Sequence, residues 1–176
     1  MLKQLPYSIE TEQAILGAML LSSEAATKAS NSLEKHDFYL TPHQVLFEAI
    51  IENPDVVSVI TALKAKGKIE KLKSVGGVDY VYTLLDTVAT TAAIDHHIST
   101  LKDLSHRRRL AISATRIAQA ATDLTIDLED TISDLKAEVK QIEADQKGEY
   151  RENVELVKAV FADIEQRAKE KTHYVG

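Results

Sequence analysis

The chain has 176 residues, 44% of them hydrophobic, which is enough for one domain, or a small domain with an extension, built on a real core. It contains no cysteine, which excludes disulfide scaffolds, thiol nucleophiles and Cys-based zinc sites and fits a reducing compartment. Acidic side chains outnumber basic ones 27 to 21, no apolar run reaches the ~18 residues of a membrane span, and no basic-then-apolar leader opens the chain, so a soluble, cytoplasmic protein with no membrane partner is expected.

Alanine (21) and leucine (19) dominate while glycine (6) and proline (3) are scarce, a composition that predicts an all-α fold. The first helix follows Pro6, with Ser8 as its cap and a run from Ile9 to about Leu21 in which Ile9, Leu16 and Leu20 share one face. A second helix is expected over Glu24 to Leu33. His36 to Pro42 reads as a loop with aromatic anchors, and a third helix starting at Thr41 or Pro42 ends at Asn53-Pro54, because proline disfavours helix in the residue before it. Val56 to Lys66 resumes the helical pattern, with Gly67 just past its end. Gly76-Gly77 then marks a turn before a short helix from about Val78 to Leu85. Residues 1–90 are expected to form a small helical head.

From Thr91 to about Ala121 there is neither glycine nor proline, which gives ~30 helical residues. Its stripe runs Ile94, Ile98, Leu101, Ser105, Arg108, Ile112 and Thr115, with Leu104, Ala111 and Ala118 alongside. Thr122 to Ile126 breaks the pattern, and Asp127 is placed to cap a further helix. That helix carries Leu128, Ile132, Leu135, Val139 and Ile142 at 4-3-4-3 spacing, a narrow coiled-coil seam. Two such helices predict an antiparallel hairpin over residues 91–146, with Ile94, Ile98, Leu101, Leu104 and the seam from Leu128 to Ile142 as its interface, covered in part by a partner chain. Past a polar hinge around Gly148, residues 147–176 are expected to form a linker whose helix docks elsewhere through Val157, Val160, Phe161, Ile164 and Ala168.

The side chains offer little catalytic chemistry. A P-loop needs G-x-x-x-x-G-K-[ST]; the one Gly-Lys pair, Gly67-Lys68, is followed by Ile69 and has Ala62 at the upstream glycine position. His96 and His97 are adjacent and so diverge on a helix, while Asp103 and His106 are two weak ligands where a metal site wants three or four. No Gly-x-Ser-x-Gly elbow occurs. Glu10 and Glu12 read as solvated or first-turn carboxylates, and His36, Asp37 and His43 as surface or loop-packing residues. The basic cluster Arg107, Arg108 and Arg109 fans around its helix, which suits structural or inter-subunit salt bridges better than phosphate contact. Residues 1–122 are neutral (13 acidic, 13 basic), and the whole net charge of −6 falls in residues 123–176 (14 acidic, 8 basic), a poor surface for DNA.

Several ordered motifs carry a resemblance. Pro6-Tyr7-Ser8-Ile9-Glu10 leads to Glu12-Gln13-Ala14-Ile15-Leu16-Gly17-Ala18-Met19-Leu20. These are followed by Asp37-Phe38-Tyr39, His43-Gln44-Val45-Leu46-Phe47-Glu48-Ala49-Ile50, Gly67 with Ile69-Glu70, Gly76-Gly77 before Tyr80, Thr91-Ala92-Ala93, and Arg107-Arg108-Arg109-Leu110. Together they resemble the N-terminal domain of DnaB-type replicative DNA helicases, and the hairpin and linker match that family by position. The short link Asn53-Pro54-Asp55, Thr90 where a proline is typical and Ile94 where an asparagine is common suit a divergent, phage-borne or plasmid-borne member.

The resemblance implies a non-catalytic oligomerisation and partner-docking domain of a hexameric helicase. Hairpins would pair subunits into a collar built as a trimer of dimers, the linker helix would dock on a neighbour, and primase and a helicase loader would be the partners. It also implies ATP and magnesium for a RecA-type motor that would follow Gly176, with no cofactor in these residues. A free-standing helical adaptor or inhibitor imitating such a collar is the alternative expectation.

Overall fold

The computed structural model describes residues 4–88 and 90–144, and among these every regular element is helical. In order they are α1 (Ile9–Leu21), α2 (Ser23–Ser32), a 3-10 turn (Lys35–Asp37), α3 (Thr41–Glu52), α4 (Val56–Ala65), a longer 3-10 segment (Ile69–Val75), α5 (Asp79–Thr87), α6 (Ile94–Ala120) and α7 (residues 128–144). The chain divides into two units, residues 1–112 and 113–176.

Local chemistry sets the helix ends of the first unit. Ser8 Oγ accepts the Thr11 N–H at 3.2 Å, and Asp55 Oδ2 accepts the Ser58 N–H at 2.9 Å, satisfying amides that a helix start leaves without partners. After α4 the chain turns at Gly67, whose φ of 62° a side chain would resist.

α1 is the central element, packed against α2, α3 and α5. Ile15, Leu16 and Met19 have no exposed surface, so the helix is apolar nearly all round at its middle. Gly17 lets α5 approach closely: a methyl there would run into the Leu84 carbonyl oxygen and Val88 Cγ2. Phe38, Phe47, Ile50, Leu63, Leu72 and Leu84 complete the core, with the Phe38 and Phe47 rings 4.8 Å apart. Outside, Glu48 pairs with Lys35 at 2.9 Å and Lys68 at 3.2 Å, and Glu52 with Lys66 at 2.5 Å, so Lys66 and Lys68 of the lysine-rich stretch are neutralised against α3. The Lys35 and then the Lys68 ammonium hold the Glu48 carboxyl below its usual range.

The expected boundary at residue 90 is corrected here. Ile94, Ile98 and Leu101 belong to the core of the first unit, where Leu101 is fully buried, and the unit extends to Ile112. A 4-3 stripe shows that a helix face is covered but not what covers it, and for this half of α6 the cover is the head itself. In the second unit Ser113 Oγ donates to Glu138 Oε2, and Arg116 pairs with Asp134 at 3.0 Å. Partners descend along α7 as they ascend along α6, so the two helices run antiparallel. Asp127 Oδ1 accepts the N–H groups of Glu129 (2.8 Å) and Asp130 (3.1 Å), the expected cap. The expected linker helix and its hinge lie outside the described residues.

Gly17→Ala should destabilise the protein by about 1–3 kcal/mol, because the clash is with backbone and a packed valine. Urea unfolding should show a lower midpoint at an unchanged slope; an unaltered midpoint would mean that α1 and α5 can separate freely.

Candidate functional site

The first unit is organised around a carboxylate that the sequence suggested was solvated or a first-turn dipole partner. Glu12, on the first turn of α1, is fully buried, and its oxygens face the Tyr39 N–H (2.6 Å), the Leu40 N–H (3.4 Å) and His43 Nδ1 (2.6 Å). Backbone amides can only donate, so both Glu12 oxygens act as acceptors. His43, on α3 and also fully buried, presents Nε2 to Tyr80 Oη on α5 at 2.7 Å, and Tyr80 Oη accepts from Gln13 Nε2 at 2.9 Å. With that amide donating, the Tyr80 hydroxyl is free to donate to His43 Nε2, leaving the imidazole N–H on Nδ1 toward Glu12. One hydrogen-bond chain thus joins α1, α3, α5 and the loop before α3.

Arg108 closes the same region from α6. Its guanidinium donates to the carbonyls of Pro6 (3.0 Å) and Asp37, and lies 5.9 Å from the Tyr39 ring centroid. Tyr39 in turn stacks on Tyr7, with centroids 4.6 Å apart and planes within 9°. Asp37 Oδ2 accepts the Glu34 N–H at 2.8 Å. Burial works against the Arg108 charge, and Glu12, Asp37 and Tyr39 oppose that effect. A carboxylate–imidazole–phenol chain could relay protons in an open cleft, but here Glu12 and His43 have no exposed surface. Its work is to hold the fold.

The other predicted residues scatter. Arg107 is exposed and bonds Asp103 at 2.7 Å, Arg108 is buried and Arg109 half-buried, so the three arginines form no common patch. The His96 and His97 rings are tilted by 53°, and burial, then His96, lowers the His97 pKa. No group of three potential metal ligands occurs among the described residues. Of the expected hairpin seam, Leu128 and Ile132 are 46% and 38% exposed, Leu104, Leu135 and Val139 half-buried, and Ile142 buried. Leu110, Ile112, Leu124 and Ile126 are also exposed. Val157, Val160, Phe161, Ile164 and Ala168 lie outside the described residues.

Residues 4–103 match the family model of the DnaB-like helicase N terminal domain. The chain belongs to that family. The chain is 29% identical over 175 residues to the replicative DNA helicase DnaC of Bacillus subtilis (strain 168), covering 97% of this chain and 38% of that protein. It is 40% identical over 120 residues to the replicative DNA helicase DnaB of Geobacillus stearothermophilus, covering 65% of this chain and 26% of that one. The chain therefore spans well under half the length of these relatives. Among solved structures, the N-terminal domain of DnaB helicase from Mycobacterium tuberculosis superposes with a TM-score of 0.68 at 30% identity, over 78% of this chain and 99% of that one. A structure of a DnaB-like replicative helicase and its interactions with primase shares the fold, with a TM-score of 0.58 at 22% identity, over 90% of this chain and 35% of that one.

The DnaB-like motifs now have a physical meaning. Glu12-Gln13, Asp37-Phe38-Tyr39, His43, Tyr80 and Arg108 are distant in sequence, yet they form the buried chain and its arginine closure. The signal that could have found Glu12 was its place on the helix that continues as the apolar run Ala14 to Leu21, with His43 at the head of a second apolar helix.

Glu12→Ala should cost about 3–5 kcal/mol, since it strands His43 and two amides in a buried site; thermal unfolding reads the loss. Tyr80 gives a pH test. Desolvation by burial raises its pKa above the ordinary 10.0, with Gln13 opposing and Glu12 reinforcing. A raised folded-state value means this contribution is present below about pH 10 and lost as pH rises through the folded value. The wild type should therefore lose stability in alkali more steeply than Tyr80→Phe, and parallel curves would contradict the assignment.

Proposed function

We propose that this chain is a non-catalytic oligomerisation and partner-docking domain of a hexameric replicative DNA helicase. The observation that carries this reading is the contrast between the two units. The first satisfies even its buried charges internally, whereas the second leaves Leu124 fully exposed and Leu128 and Ile132 open beside it. Large apolar side chains at consecutive seam positions mark a surface for association. Membership of the DnaB-like family, and relatives named as replicative helicases, support reading that association as assembly of a helicase ring.

In this reading α6 and α7 pair subunits, and the head positions them and receives primase and a helicase loader. The relative described with its interactions with primase supports the first of those partners. Unwinding would be ATP- and magnesium-dependent and carried by a RecA-type motor outside these residues. DNA contact by this region is weak or absent, because Arg108 is committed to backbone carbonyls and Arg107 to Asp103. Among the described residues no helix is long and apolar enough to cross a membrane. As part of a replicative helicase the chain would work in the cytoplasm.

Light scattering across concentration tests the reading. The chain should form dimers or larger assemblies at micromolar concentration, and Ile132→Glu should shift it toward monomer with helicity retained. A wild-type chain that is monomeric at high concentration would contradict the proposed role.

A further inference from the structure

The outer face of α5 carries charge that the chain itself does not offset. Tyr80, Val81 and Leu84 turn into the core, while Asp79, Tyr82, Thr83 and Asp86 are exposed. These four recur at i, i+3, i+4 and i+7, so they form one stripe along the helix. Tyr82, 50% exposed, stands between the two carboxylates. Neither Asp79 nor Asp86 has an ion pair or a side-chain hydrogen bond among the described residues, and the Thr83 hydroxyl donates instead to the Asp79 carbonyl at 3.2 Å.

Other exposed carboxylates of the first unit are met within the chain. Glu48 has Lys35 and Lys68, Glu52 has Lys66, Glu70 has Lys73 and Asp103 has Arg107, while Glu10 and Asp55 accept from Ser8 and Ser58. The first turn of a helix favours a carboxylate, which accounts for Asp79 locally. Asp86 lies in the last turn, where the helix dipole opposes one, and α5 has no basic residue to compensate. An exposed aromatic ring with unpaired carboxylates on both sides is complementary to a cationic, partly apolar surface. Phosphate-bearing occupants are repelled, which sets aside nucleic acid and anionic lipid. Two α5 faces would set aspartate near aspartate, which sets aside a symmetric contact of this face with itself.

We propose that the open face of α5 docks a basic amphipathic helix of a partner protein, whose cations meet Asp79 and Asp86 and whose intervening apolar side chain covers Tyr82. The two aspartates are about 10 Å apart along the axis, so the partner's basic residues fall at i and i+7. The tyrosine supplies most of the contact area at low entropic cost, and the carboxylates supply orientation and salt dependence. The proposal deepens the docking role given to the head and does not depend on assembly.

Nuclear magnetic resonance titration of the full chain tests it with a short alanine-rich helical peptide bearing arginines seven residues apart and leucines between them on the same face. A control peptide of equal composition carries the arginines on the opposite face from the leucines. The first peptide should shift resonances of residues 79–87 and bind several-fold tighter than the control. Asp79→Asn combined with Asp86→Asn should weaken binding about fivefold, and Tyr82→Ala about tenfold, with helicity retained because all three side chains are exposed. Glu24→Gln, which removes an exposed carboxylate on α2, should bind like the wild type. Shifts that avoid residues 79–87, equal binding of the two peptides, variants that bind like the wild type, or no binding at millimolar peptide overturn the proposal. Light scattering on the same samples keeps the readings apart. An intact assembly that ignores the peptide sinks this inference alone, and a monomer that binds it sinks only the assembly role.

Discussion

Everything in the first unit depends on keeping the Glu12 carboxylate buried. An ionised carboxylate without partners in a protein interior is prohibitively costly, so its position demands donors, and the chain supplies them from three directions. Two are the consecutive amides of Tyr39 and Leu40, which bend the loop before α3 into place. The third is His43, itself oriented by Tyr80 and, through Tyr80, by Gln13. Each element that contributes a donor is thereby fixed relative to α1. Apolar packing alone would tolerate some sliding of these helices; a fully satisfied polar chain does not.

Arg108 extends the same constraint to α6. Its two carbonyl partners lie 102 and 71 residues earlier in the chain, so a single guanidinium ties the long helix to both the N-terminal segment and the 3-10 turn. The planar fork suits this task, since it can donate in two directions while its face lies near the Tyr39 ring. With Ile94, Ile98 and Leu101 in the core, the first part of α6 is as much a head element as α1. The second unit differs in kind: short polar contacts join α6 to α7, while the apolar seam of α7 stays partly open.

What could be read from the sequence divides along physical lines. Helix positions, the Ser8 and Asp127 caps and the turn at Gly67 were legible because they are set by local chemistry. The ordered motifs also led to the right family, although the reason for their order was hidden. Glu12, Tyr39, His43, Tyr80 and Arg108 meet only in three dimensions, so Glu12 read as a solvated or first-turn carboxylate and Arg108 as one of three arginines suited to structural or inter-subunit salt bridges. Likewise the stripe Ile94, Ile98 and Leu101 and the seam Leu128 to Ile142 have the same spacing. Periodicity does not distinguish a face covered by its own chain from one awaiting another.

In the proposed role the head is self-sufficient, whereas the second unit would be completed by association. Hydrogen exchange at low and high protein concentration tests that separation most directly. The amides of Tyr39 and Leu40, held by Glu12, should exchange slowly and equally at both concentrations. Protection across residues 128–144 should rise with concentration as α7 is covered. Protection of that helix that is independent of concentration, in a chain whose head is well protected, would contradict the account.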